Sequence, residues 1–395
     1  METEIAIVGA GICGLATALA LHRKGIKCVV VERSESLRAT GLALTIFTNG
    51  WRVLDQLGVA SKLRPFAITI HTLYEKSLDD NFGLKIPVSN EELRCLKRSL
   101  LIEALAAELP TDTIYFGRQV VALKLDPVTS YPLLKFQDGS LLRAKVVIGC
   151  DGANSIVAEY LGLKAPKLLS MCSTLGFTNY PDGHGLDNES IIIRKGGVSV
   201  GRIPMDDKLV YWFVAREQAP KDLTTFKDTD GIRESAIESV MDFPDEIVEM
   251  VKISDANSLI LARLKYQTPW EILLGNFRKG AVVVAGDAMH VVAPFLGQGG
   301  SVCLEDAVVL ARCLAKHVEV SANQDGHRIT KGVEAGLDLY VKERRMRLVW
   351  LSTQSYLIGL LGENSSNLVR RGCLWLLATL FPDTLWHTRY NCADL

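Results

Sequence analysis

Ile5-Ala-Ile-Val-Gly9-Ala10-Gly11-Ile12-Cys-Gly14, continued by helix-forming residues to Lys24 and then by Lys27-Cys-Val-Val-Val31-Glu32, decides the fold. The apolar run Ile5–Val8 predicts a buried strand, the glycine-rich turn opens a helix, Gly25 closes it, and a second apolar run ends on an acid. This is a β-α-β unit. Its glycines serve a tight turn, close approach of backbone to a pyrophosphate, and close packing of helix on strand. Glu32, 18 residues beyond Gly14, is placed to accept hydrogen bonds from ribose hydroxyls and to repel a 2′-phosphate. An ADP-containing dinucleotide, NAD or FAD, is therefore expected here; a β-α-β unit without ligand is the plainer alternative.

Two further stretches repeat the strand-then-turn pattern. Ala281-Val-Val-Val-Ala285 predicts a strand that stops at Gly286-Asp287. A loop with His290 and Pro294 leads from there to Gly297-Gln298-Gly299-Gly300 and a helix from Ser301 to Lys316. Backbone N–H groups exposed at such a helix start favour a polar or anionic ligand, although a tight surface turn has the same composition. Lys145-Val-Val-Ile-Gly-Cys-Asp151-Gly152 is the third case. Strands ending near residues 8, 149 and 285 thus release loops at one edge of a parallel sheet, where ligands of open α/β sheets bind.

The 395 residues, 48% hydrophobic and 23% charged, suffice for two domains with large cores, and a net charge of −1 does not favour nucleic acid as partner. Nine scattered cysteines without C-x-x-C spacing speak for a reducing compartment rather than a disulfide framework. A strand beginning at Ile5 leaves no room for a targeting peptide, and no apolar run approaches the ~20 residues that span a bilayer. A cytoplasmic protein is expected, with residues 373–381 apolar enough to touch a membrane surface or a partner.

Elsewhere, Arg33, Arg38 and Arg52 are cations near the first motif, and Ser99 is read as the N-cap of a helix with Arg98 at its start. A cation there is unfavourable to the helix dipole unless a phosphate is near. From Leu169 to Leu264 β-type runs punctuated by Gly and Pro predict an antiparallel sheet, with Tyr211, Trp212 and Phe213 alternating between its faces. Tyr340-x-x-Glu343-Arg344-x-x-Arg347 reads as a solvated, ion-paired helix face.

The combination Gly9-x-Gly11-x-x-Gly14, Asp151-Gly152 after a strand, and Gly286-Asp287-Ala-x-His290-x-x-x-Pro294-x-x-Gly297-Gln298-Gly299 resembles the class A, single-component FAD-dependent monooxygenases with the p-hydroxybenzoate hydroxylase fold. Gly50-Trp-Arg-Val-Leu-Asp-Gln-Leu-Gly58 and the terminal His387-Thr-Arg-Tyr-Asn-Cys-Ala-Asp-Leu395 resemble the plant salicylate-hydroxylase-like members. The resemblance implies an α/β fold: a discontinuous Rossmann-type FAD-binding domain (1–67, 91–168 and 265–330) interwoven with an antiparallel-sheet substrate domain (68–90 and 169–264), then a helical C-terminal segment (331–395). It implies FAD contacts from Gly9, Ala10, Gly11, Ile12, Gly14, Glu32, Arg33, Arg98, Val120, Asp151, Gly286, Asp287, Pro294, Gly297, Gly299 and Gly300. Asp287 would meet the ribityl chain and residues 294–300 the isoalloxazine. It further implies NADPH or NADH as co-substrate, O2, and insertion of one oxygen atom into a small aromatic or apolar substrate through a flavin hydroperoxide. Ala158 departs from the arginine that often ends the family's Asp-Gly motif. A reductase or oxidase on the same fold, or a flavin-binding regulator with little activity, are the other readings. No protein nucleophile or metal cluster stands out. His290 is the candidate for a residue lining the site, with a loop-stabilising hydrogen bonder as its plainer role.

Overall fold

The computed structural model describes residues 1–37, 42–88, 91–217, 229–321, 326–362, 367–383 and 385–395; Arg38 and the start of the last helix at Ser366 lie outside them. A parallel sheet carries the spatial order Ile114–Tyr115, Val29–Val31 (β2), Glu2–Val8 (β1), Leu141–Gly149 and Val282–Val284, with Arg278–Lys279 as an antiparallel edge. Val8 pairs with Gly149 and Val31, and Gly149 with Val284, so the strand ends stand level at one edge. Towards that edge the central strands are Val/Ile-rich and buried, at Ile5–Val8, Val30–Val31, Val146–Ile148 and Val282–Val284, as expected for a sheet covered on both faces. Helix α1 (Ile12–Arg23) packs on the helix Gly299–Ser321, and both contribute to the same core.

A seven-stranded sheet forms a second layer, in the order 260–266, 167–179, 209–217, 198–204, 189–195, 72–77 and 83–87. The alternation across Tyr211-Trp212-Phe213 sorts its faces. Trp212, with Val200, Val210 and Val214, packs on the helices Thr229–Val240 and Asp245–Lys252. Tyr211 turns the other way, into a cluster with Phe177, Ile203, Met205 and Phe47.

Two expectations are corrected. Ser99 is not the N-cap: the helix runs Arg98–Ala107 with Lys97 as its cap, because Lys97 is still held in strand pairing with Ala43. More consequentially, Tyr340, Arg344 and Arg347 are not solvated. They sit on the long helix Gly326–Gly362 where it crosses Gly299–Ser321, with Tyr340 and Arg344 completely buried. The helix Asn367–Leu380 buries Cys373 against Leu357 and Phe381 while Leu374 and Trp375 stay exposed. No described helix is long and apolar enough to cross a membrane.

Candidate cofactor and active site

The level strand ends bring the three predicted turns together. Gly9 has φ +103° and lies so near the next strand that a Cβ there would stand 2.6 Å from the Cys150 carbonyl oxygen. A Cβ on Gly14 would fall 1.9 Å from the Gly9 oxygen, so this glycine serves helix–strand packing. Gly286, at φ +60°, faces the first turn of α1: its Cβ would meet Cys13 Cβ at 2.8 Å and Cys303 Sγ at 3.2 Å. The 9–14 turn, the strand end at 149–150 and the 286–287 turn therefore share one crevice, although almost three hundred residues separate the first from the last.

Gly11 plays a different part. It caps α1 without any side-chain hydrogen bond, and a Cβ added to it, or to Gly299, would meet nothing within 4 Å. Uncapped N–H groups beside open space at a helix start suit an anionic group such as a pyrophosphate. Glu32 stands beside this turn, its Oε2 accepting the Ala10 N–H at 2.8 Å and its Oε1 the N–H and hydroxyl of Ser34. Val120 begins its strand two residues past Arg118, whose N–H donates to the Glu32 carbonyl, and Val120 itself is buried. Arg33 is exposed.

Arg98 occupies the first turn of its helix, and its Nε is buried without a hydrogen-bond partner among the described residues; Asp151 Oδ1 is in the same condition. Asp151 Oδ2 accepts the Ile156 N–H at 2.8 Å, and burial pushes its carboxyl above the usual range. Asp287 is open along the crevice yet closely surrounded, so burial raises its carboxyl too, against the opposing charges of His290 and Arg98. Pro294 starts a single 3-10 turn that ends at Gly297 in left-handed conformation (φ +61°), and Gly299 and Gly300 open the long helix. Orphaned polar atoms, a free helix N-terminus and open space at two glycines fit FAD, which brings phosphates and hydroxyls to satisfy them.

His290 faces inward. It is 1% exposed, and its Nε2 lies 2.6 Å from Asp306 Oδ2. Asp306 also accepts the Gly286 N–H at 2.9 Å and pairs with Arg344 Nε at 2.6 Å, while Glu305 pairs with Arg344 at 2.7 Å and Arg347 at 3.0 Å. Burial alone would raise both carboxyls; His290 and Arg344 hold Asp306 below the usual range, and Arg344 and Arg347 do so for Glu305. Glu305 and Asp306 escaped the sequence reading, and without them Arg344 and Arg347 read as surface charges. The available signal was an acidic pair inside the apolar run Val302 to Leu310, where a solvated face has no place.

The network ends in the C-terminal segment at His387, 3% exposed. Burial foremost, and the charge of Arg347, lower its pKa to about 4, against Asp383, Glu305 and Glu91. The unfolded chain takes up this proton first, so stability falls as pH drops from about 6.5 to about 4, by about 3 kcal/mol. Urea unfolding at pH 7 and pH 4.5 is expected to show a larger loss for the native chain than for His387→Gln, which has no such proton to gain; equal losses would remove His387 from the account.

Known proteins can be set beside this geometry. The sequence profile of the family described as FAD binding domain matches residues 2–349. Monooxygenase 1 of Arabidopsis thaliana is 46% identical over the whole of both chains, and Monooxygenase 2 of the same plant is 38% identical over 91% of this chain and 90% of its own. The crystal structure of Klebsiella pneumoniae HpxO complexed with FAD and uric acid superposes with a TM-score of 0.79 over 98% of this chain and 96% of its own, at 18% identity. That likeness establishes a shared fold. With the glycine turn, the Asp-Gly turn and the Gly-Asp turn meeting at one sheet edge, this chain belongs to the FAD-binding family of FAD-dependent, NAD(P)H-using monooxygenases.

Proposed function

We propose that one FAD lies extended along this edge, its pyrophosphate at Gly9–Gly14 and its adenosine ribose at Glu32. Arg98, Asp151, Gly286 and Asp287 hold its middle, and Pro294 with Gly297–Gly300 flanks its ring. The observation that carries this is the approach of Gly286 to Cys13, which places both turns in one crevice. When bound, FAD accepts electrons from NAD(P)H and activates O2, so that one oxygen atom enters the substrate. The chain's own part is to position and to dry the site. The N–H groups at Gly299 and Gly300 offer partial positive charge at the ring's edge, worth up to ~2 kcal/mol to a developing anion.

The substrate is a small aromatic or apolar molecule held on the sheet face that Tyr211 shares with Phe177 and Ile203. Cross-strand pairing sets Ile192, Gly201, Phe213 and Leu175 in a neighbouring row, and none carries a charge. Phe47 joins this face to the ring-side turn, its ring 3.4 Å from where a Gly297 Cβ would stand. Burial pushes the Tyr211 phenol up, so it stays a protonated donor even in alkaline solution where a free phenol ionises. All nine cysteines are free, in keeping with a cytoplasmic site of action. NADPH and NADH oxidation should be followed with a panel of phenols under isotopically labelled dioxygen. Label is expected in the product. Turnover without label would mean a reductase or oxidase, and a bound flavin that neither nucleotide bleaches would mean a regulator.

A further inference from the structure

We infer that the C-terminal segment 386–392 belongs to the cofactor cradle, with Arg347 as a positioning residue that fixes the Gly297–Gly300 turn. This rests on the assignment of that turn to FAD. The path is continuous. Gln298 Oε1 accepts from Asn49 Nδ2 at 2.9 Å, and the same amide donates to Glu305 Oε1 at 2.6 Å. Glu305 accepts from Arg347 Nη2 at 3.0 Å, and that nitrogen also donates to the His387 carbonyl at 2.6 Å. The Arg347 guanidinium lies 4.6 Å from the centre of the Tyr390 ring and 5.3 Å from that of Trp386. Gln298, Asn49 and Glu305 are each no more than 1% exposed, so water cannot replace a lost partner.

The tail is fastened independently of this path. Arg52 Nη1 donates to the Arg389 carbonyl at 2.9 Å, Gln56 to the Ala393 carbonyl at 3.1 Å, and Arg312 to the Cys392 carbonyl. Arg389 pairs with Glu91 at 2.6 Å. The segment therefore presents the His387 carbonyl and the Tyr390 ring to Arg347 from a held position, which is what a positioning contact needs. Gly297, at φ +61°, donates its N–H to the Pro294 carbonyl at 3.0 Å but has no side chain to tie the turn to the rest of the fold; the neighbouring Gln298 side chain supplies that tie. Without the Arg347 charge, the cation left to Glu305 is Arg344, which it shares with Asp306. Glu305 then swings toward Arg344 or takes up a proton, and either change weakens its bond to Asn49. The disturbance reaches the turn although Arg347 touches no reacting atom.

Apoprotein of Arg347→Met, Tyr390→Leu and Tyr390→Phe should be titrated with FAD, and the visible flavin spectrum and peroxide yield recorded. Arg347→Met is expected to weaken FAD binding roughly 10- to 100-fold, taking as the guide the loss at metal sites when a group that orients a direct ligand is removed. It should also shift the flavin bands and raise the peroxide yield. Tyr390→Leu should do so to a lesser extent, and Tyr390→Phe, which keeps the ring over the cation and loses only the hydroxyl beside Arg344, should stay closer to the native chain than Tyr390→Leu. Native affinity, spectrum and peroxide yield in Arg347→Met would overturn the inference. If that variant does not fold, unchanged values in Tyr390→Leu, which leaves every charge paired, would overturn it equally. A native chain that takes up no FAD would instead overturn the cofactor assignment itself, so the two failures are distinct.

Discussion

Arg344→Met is expected to lower the unfolding free energy by about 3–5 kcal/mol, the cost of stripping a buried charge of its partner. Arg344 is 0% exposed and is the cation shared by two carboxylates, at 2.7 Å from Glu305 and 2.6 Å from Asp306. Methionine fills a similar volume, so the loss is electrostatic rather than a cavity. Asp306 keeps the Gly286 N–H and His290, but Glu305 is left with Arg347 and Asn49. Arg345 provides the control one residue along. It is partly buried, donates to the carbonyls of Ile272 and Leu273 and lies over the Phe277 ring, with no carboxylate partner among the described residues, so Arg345→Met is expected to cost about 1 kcal/mol. Urea unfolding of both apoproteins checks this, and equal losses would mean the buried network carries no special weight. The native pH dependence has a defined sign. Both carboxyls are held below their usual range, so their contribution is present at neutral pH and is lost as pH falls through their lowered folded values.

The second large effect separates two glycines of one motif. In Gly14→Ala the new Cβ would lie 1.9 Å from the Gly9 carbonyl oxygen, and backbone must move to admit it. Over-packing of this kind costs about 3 kcal/mol or more, because α1 cannot retreat without leaving the sheet. In Gly11→Val the side chain enters open space, at a residue of extended backbone with φ −78° and ψ −175° that valine readily adopts. Its thermal midpoint as apoprotein is expected to stay near the native one, while that of Gly14→Ala falls sharply. Similar falls in both would mean that Gly11 is a packing glycine and its open face no ligand site.

How much of this was legible beforehand follows from what each signal depends on. The β-α-β unit and the three strand ends are local patterns, and spacing alone predicts them correctly. The alternation of Tyr211, Trp212 and Phe213 also announces two faces. It does not say which meets Phe47, since that depends on strands far apart in the chain. The misreading at Tyr340–Arg347 has the same origin. Charges at helical spacing look alike on a solvated face and in a buried network; what distinguishes them is Glu305-Asp306, 38 residues before Arg344 and on another helix. The cap of the helix at Arg98 was misplaced by two residues, at Ser99 instead of Lys97, because Lys97 belongs to a strand whose partner, Ala43, is remote in sequence.

In the proposed arrangement one cofactor is gripped by two turns far apart in the chain, at Gly9–Gly14 and Gly286–Gly300. The most direct measurement is therefore FAD content per chain in purified Gly11→Val and Asp287→Ala, each checked for a native-like apoprotein unfolding transition. Both are expected to emerge folded and nearly colourless beside a yellow native protein. Full, tightly held FAD in either one would contradict the shared grip.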